Sequence, residues 1–233
     1  MNKEDLWVSR TRVPITGTVE QQVDDNFNQA GSEADLELWN LYMPQWAPIS
    51  IVPDPADDKN KCLELRDEEP YDYSQAERVF PENGKVTVGF RVFVRQVGAG
   101  VLNIEVNDRH GRRPLRLRLD AEWLSLDLAK VAPPPIAIKQ GQWLELTLKL
   151  NCETHSYDLA LHGQWIRKDI PFTEKVETVE RLVFRTGLYR GEVSPGMLDG
   201  APDTLGMDQE DLPGADQKAP LSVYLIDDVR TKL

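Results

Sequence analysis

From Val86 to Val94 every second residue is apolar: Val86, Val88, Phe90, Val92 and Val94 alternate with Thr87, Gly89, Arg91, Phe93 and Arg95. Successive side chains of a strand point to opposite faces, so this period predicts a half-buried β-strand. The same period returns in Leu102, Ile104 and Val106. After the turn tract Asp108-Arg109-His110-Gly111 it resumes in Leu115, Leu117 and Leu119, which predicts a hairpin. Leu124, Leu126 and Leu128 add a third strand to this meander. Pro133-Pro134-Pro135 then interrupts the ladder, because proline has no amide hydrogen, and Gly141 marks the next turn. The clearest hairpin runs through Leu144, Leu146, Leu148 and Leu150, turns over Asn151–Ser156, and returns through Tyr157, Leu159 and Leu161. Val179–Thr186 and Leu221–Arg230 predict two more strands, separated by a Gly-, Pro- and Asp-rich stretch, Leu188–Pro220, that reads as a surface excursion. No stretch carries a sustained 3.6-residue apolar stripe, so the chain is expected to be all-β with little helix.

Composition is compatible with one core. The 233 residues are 40% hydrophobic and 28% charged, and an all-β sandwich of about 200–250 residues commonly forms one domain. We expect that domain to span residues 22–233, after a connector, residues 1–21, that has no period and reads as the trailing end of something upstream. A formal charge of −12 repels phosphate backbones, which argues against nucleic acid as a partner. No apolar run approaches the roughly 18–20 residues that cross a bilayer, and the opening MNKEDLWVSR lacks a signal-peptide core, so membrane insertion is not expected. Cys62 and Cys152 are too few for a disulfide framework; one bridge or two free thiols both remain open.

Chemistry enters on the polar side of the meander. Alternation aligns Arg91 and Arg95 with Asn103, Glu105 and Asn107, and with Arg116 and Arg118, on what is expected to be one face. Arginine grips carboxylates bidentately, so such a face could hold an acidic sugar, with Trp123 as a stacking platform. The alternative, which the residues favour, is a solvated face neutralised by Glu105 and Asp120. Trp39, Trp46, Trp143 and Trp165 are edge plugs or sugar platforms on the same terms. His110, His155 and His162 fall at turns without zinc-site spacing, and no nucleophile elbow, P-loop or dinucleotide fingerprint occurs. The domain is therefore expected not to be an enzyme by itself.

The hairpin Gly141-Gln142-Trp143-Leu144-Glu145-Leu146, with Tyr157-Asp158-Leu159-Ala160-Leu161-His162-Gly163, resembles that of concanavalin A-like (laminin G-like) domains. Asp24-Asp25-Asn26-Phe27 with Trp39, and Ile226-Asp227-Asp228-Val229-Arg230, look like the paired first and last strands of that fold. The resemblance covers most of residues 22–233 and implies a two-sheet antiparallel jelly-roll sandwich. Laminarinase-type members hold a structural calcium where these strands meet. That implies Asp227 as its side-chain ligand, Asp25 beside it and carbonyl oxygens from the Gly31 region, unless these aspartates simply end their strands. Glu33-Ala34-Asp35-Leu36-Glu37 has the E-x-D-x-E form of the laminarinase catalytic strand, but it lies near the start of the domain instead of on a middle strand, which points to a solvated acidic loop. Asn2–Arg10 looks like the end of a sialidase-like β-propeller from bacterial polysaccharide-degrading proteins, which can carry such a sandwich at the C-terminus. These likenesses imply a non-catalytic accessory domain that contacts a polysaccharide or other glycan, acidic ones included, within a periplasmic or extracellular parent protein. A purely structural domain packing on the propeller, or a small glycosidase or polysaccharide lyase, are the alternatives.

Overall fold

The computed structural model describes residues 19, 21–98, 100–128, 133–187, 214 and 216–233. Two antiparallel sheets pack face to face as a jelly-roll sandwich. The first runs β13 (Gln164–Pro171), β12 (Ser156–Leu161), β11 (Trp143–Asn151), β6 (Lys85–Val97), β15 (Ser222–Lys232), β4 (Asp57–Asp67) and β3 (Ile49–Asp54), with β1 (Asp24–Asp25) pairing the far end of β15. The second runs β10 (Ile136–Ala137), β9 (Trp123–Leu126), β8 (Leu115–Leu119), β7 (Leu102–Asn107), β14 (Val179–Thr186), β5 (Gln75–Asn83) and β2 (Trp39–Tyr42). The alternating residues do what their period requires. Val88, Phe90 and Val92 from the first sheet meet Ile104, Leu117 and Phe184 from the second in one buried core, where the Phe90 and Phe184 rings pack edge-on with centroids 5.2 Å apart. Leu146, Leu148 and Leu159 of the clearest hairpin are fully buried there, each contributing about 1.5–3 kcal/mol by leaving water.

The expected first and last strands do pair: Asp24 lies opposite Arg230 and Asp25 opposite Val229. Between Asp227 and Arg230 the register slips against β6, and Asp228 takes the left-handed conformation at φ 49° that such a bulge uses. Cys62 and Cys152 are free thiols, Cys152 in the main core and Cys62 in a small apolar cluster on the outer side of the first sheet. The Glu33–Asp35 stretch is a 3₁₀ turn, not a strand. Its Asp35 carboxylate accepts the Gly31 and Ser32 amides, so the E-x-D-x-E alternation never arises. The propeller-like Asn2–Arg10, all of the connector except residues 19 and 21, and most of Leu188–Pro220 lie outside the described residues.

One expectation fails. Strands β6 and β7 are not neighbours in a meander but lie in opposite sheets. Gly98 still borders the first sheet, its amide donating to the Leu221 carbonyl at 2.9 Å, where a Cβ would stand 2.6 Å from that oxygen, whereas β7 from Leu102 lies in the second. Arg91 and Arg95 thus face outward from the first sheet, while Asn103, Glu105, Arg116, Arg118 and Trp123 face outward from the second. The single face predicted for these residues is two faces. A period of two reports which side of a strand is buried, but not which sheet the strand joins.

Candidate functional site

The register of the second sheet arranges its outward side chains in rows. Tyr42, Gln75, Arg185, Asn103, Arg118 and Ser125 stand side by side across β2, β5, β14, β7, β8 and β9. The next row is Asn40, Glu77, Val183, Glu105 and Arg116, and a third places Val79, Arg181 and Asn107 together. These side chains point outward because Leu102, Ile104, Val106, Leu115, Leu117, Leu182 and Phe184 take the alternate, buried positions.

The middle of this face is recessed although it points away from the core. Asn103 is 4% exposed, Glu105 6% and Val183 2%. Three arginines converge on one oxygen of Glu105: Arg113 at 3.1 Å, Arg185 at 3.6 Å and Arg116 at 3.9 Å. Arg116 also grips Asp127 through Nε at 2.6 Å and through Nη2. Glu77 accepts from Asn40 and Arg181. Arg185 lies over the Tyr73 ring at 4.9 Å, and Tyr73 in turn touches Tyr42. Trp123 projects from β9, 40% exposed. Some polar atoms are left over: Asn103 Oδ1, Asn107 Oδ1 and Arg185 Nε are buried without a hydrogen-bond partner, and such atoms are costly to leave unpaired. A floor of unspent donors and acceptors between exposed aromatic rings can engage a molecule that is rich in hydroxyls and has flat apolar faces.

The outer face of the first sheet is built differently. Arg91 stacks on Trp143 at 4.6 Å, its Nη2 bonds the fully buried Asp227, and its Nε reaches Asp228 at 2.7 Å. Asn60 bridges Asp54 and Asp227, and Trp143 Nε1 donates to Asp54 at 3.0 Å. Burial raises the Asp227 carboxyl above its ordinary range, against the pull of Asn60, the Asp228 amide and Arg91. Burial acts likewise on Asp54, but there the Ala56 amide, Asn60, Trp143 and Arg91 together win and hold it low. A cleft of about 330 Å³ opens beside this network, lined by Asn28, Asp54, Asp57, Lys59, Asn60 and Arg91. Arg95 pairs with Glu64 at 3.3 Å.

Other groups stand close around the residues expected to hold calcium. Arg91 already supplies the positive charge beside Asp227. Asp25 is engaged by Arg78 at 2.6 Å and by Trp39 Nε1 at 3.0 Å, and beside Gly31 the Ala30 carbonyl accepts from Lys61 Nζ at 2.7 Å. Among the described residues no three His, Cys, Asp or Glu side chains gather as a metal site. Of the other tryptophans, Trp39 is core, packed on Phe27 and Phe184, Trp46 is half-buried and Trp165 is exposed on the outer side of β13. Arg181, Arg185, Arg113, Tyr42 and Tyr73 were missing from the sequence-based set. The alternation of Arg181 and Arg185 with buried Leu182 and Phe184 was the available signal for two of them.

The family model described as "Sialidase-like, CBM domain" matches residues 39–196, about two-thirds of the chain. A solved structure titled "Sialidase" is similar to it at 28% identity with a TM-score of 0.81, over 95% of this chain. The chain spans 19% of that sialidase's length. "Cellulose induced protein, Cip1" shares 13% identity at a TM-score of 0.61, the match covering 90% of this chain and 96% of that one. The catalytic domain of a GH131 β-glucanase from Podospora anserina shares 11% at 0.54, covering 93% and 96%. These last two likenesses are of fold. Among curated proteins no sequence matches.

Proposed function

Since this chain belongs to the sialidase-like CBM (carbohydrate-binding module) domain family, we propose that it is a non-catalytic accessory domain that binds carbohydrate on the outer face of its second sheet. The observation that carries this reading is the recessed Asn103–Glu105–Asn107 strand, with unspent polar atoms on both asparagines, between Trp123 on one flank and Tyr42 on the other. The carboxylates of this face that could serve acid or base chemistry are occupied, Glu77, Glu105 and Asp127 each being held by arginine, which favours binding over catalysis. The sandwich, residues 22–233, is read as concanavalin A-like. It is read as one part of a larger protein, which the short span it covers of the similar sialidase supports, and that parent is proposed to be exported, glycan-degrading and built with a propeller.

Affinity electrophoresis in gels containing neutral or acidic polysaccharides tests the proposal. Retardation is expected in at least one gel, with loss of retardation for the double variant Asn103→Ala, Trp123→Ala. Unretarded migration in every gel would leave a purely structural domain as the better reading.

A further inference from the structure

We propose that the row Arg185–Asn103–Arg118 is a subsite for a carboxylated sugar of the uronate type, an inference that rests on the carbohydrate-binding reading above. The carboxylates of this face cluster in the neighbouring row, at Glu77, Glu105 and the adjoining Asp127, whereas Gln75, Arg185, Asn103, Arg118 and Ser125 form a row without one. Arg118 is exposed and has no ion-pair or hydrogen-bond partner among the described residues. Arg185 is steadied over Tyr73 and touches Glu105 only at 3.6 Å, which leaves its Nε without an acceptor. Between them Asn103, 4% exposed, holds out an Oδ1 without a donor.

The unmet needs of this row are specific. Arg118 calls for an anionic acceptor, Arg185 Nε for one beyond the 3.6 Å contact of its Nη2 with Glu105, and Asn103 Oδ1 for a donor. Arg185 and Arg118 stand two strands apart, roughly 10 Å across the sheet, and their long side chains can close on an oxyanion seated above Asn103. A uronate carries its carboxylate and its free ring hydroxyls on one sugar, so one ring meets both requirements: charge-assisted bonds to the arginines and a hydroxyl donated to the asparagine. A neutral hexose supplies only the hydroxyls. A densely sulfated sugar has its hydroxyls converted to esters, which only accept. The overall charge of −12 opposes indiscriminate binding of polyanions, so retention must come from these local contacts.

The test is affinity electrophoresis in polygalacturonate, in the same polymer fully methyl-esterified, and in dextran sulfate. Retention by polygalacturonate is expected to exceed retention by the ester and by dextran sulfate about tenfold or more, and Arg118→Ala and Arg185→Ala should each weaken it about tenfold. Arg167→Ala on the first sheet should not change it. Unaltered thermal melting of Arg118→Ala, whose side chain is exposed, shows that the loss is not unfolding. Equal retention by the ester or by dextran sulfate overturns the inference, as does undiminished binding by Arg118→Ala. If the ester is held as tightly and Asn103→Ala with Trp123→Ala releases it, the uronate subsite fails while carbohydrate binding stands. If no polysaccharide is retained, both fail.

Discussion

Arg91 on the first sheet and Arg118 on the second occupy equivalent outward positions on central strands, yet one is enclosed and the other is not. Arg91 is fenced by Asp227, Asp228 and Trp143, and its neighbours Asp54 and Asn60 complete one another. Arg118 has no partner among the described residues, and the residues beside it keep unspent hydrogen-bonding atoms. The Arg91 network pairs its charges within the protein and specifies structure, although Arg91 Nε, 2.7 Å from Asp228, makes no well-formed hydrogen bond. An open row of polar groups on a recessed face is an arrangement that a ligand can complete. The contrast teaches that an arginine-rich strand is not evidence of binding until its partners are counted.

The largest effect that sharpens this contrast is expected from Arg91→Ala. Removing it strands the buried Asp227 carboxylate and should cost about 3–5 kcal/mol in chemical denaturation; a loss under 1 kcal/mol would show that the first-sheet network is not structural. Leu146→Ala, at a fully buried position between the faces, should cost about 2–5 kcal/mol, while Thr147→Ser on the outward side changes the midpoint little. Equal effects would refute the assignment of inner and outer sides.

A pH dependence separate from that of the raised Asp227 and the lowered Asp54 on the first face comes from Asp67, the last residue of β4. Burial pushes the Asp67 carboxyl from its ordinary 3.8 up to about 7, only partly offset by bonds from Thr186 and the Glu69 amide, with the charges of Glu69 and Asp72 adding to the rise. A raised carboxyl binds its proton more tightly folded than unfolded. Its contribution to stability is therefore complete below pH 4 and lost as pH rises through about 7. Melts should show a loss on the order of 2–4 kcal/mol between these limits from this group, and Asp67→Asn should flatten that slope; an unchanged slope would place the titration elsewhere. The smallest stability effect is expected at the proposed site: Arg118→Ala should alter stability by no more than about 0.5 kcal/mol, in contrast to Arg91→Ala.

Much of the sandwich was legible because β6, β7, β8, β9 and β11 follow a period of two against a leucine- and valine-rich core. Of the strands before Val86 only the first, at Asp24–Asp25, was expected, and after it β13, without a clear alternation, was not. In β4, Asp57-Asp58-Lys59-Asn60-Lys61 precedes Cys62, Leu63 and Leu65, and its outward cysteine is covered by Val223 and Leu225, so both sides look buried and the alternation is blurred. The candidate site was half legible. Asn103, Glu105, Arg116, Arg118 and Trp123 do share an outer face, but Arg91 and Arg95 do not join it, because strands consecutive in sequence here are not neighbours in space. Arg185, which completes the row, lies far along the chain and becomes adjacent to Asn103 only through the β7–β14 pairing. No local pattern encodes that long-range pairing.

Amide-shift mapping of the ¹⁵N-labelled chain, titrated with the glycan most strongly retained in the gel panel, tests the central claim most directly. Shifts are expected to concentrate on Asn103–Asn107, Arg116–Arg118 and Arg181–Arg185, on the outer face of the second sheet. Shifts concentrated instead on Asp54–Asn60 and Arg91 beside the first-sheet cleft, or saturating binding with none on β7, β8 and β14, would contradict it.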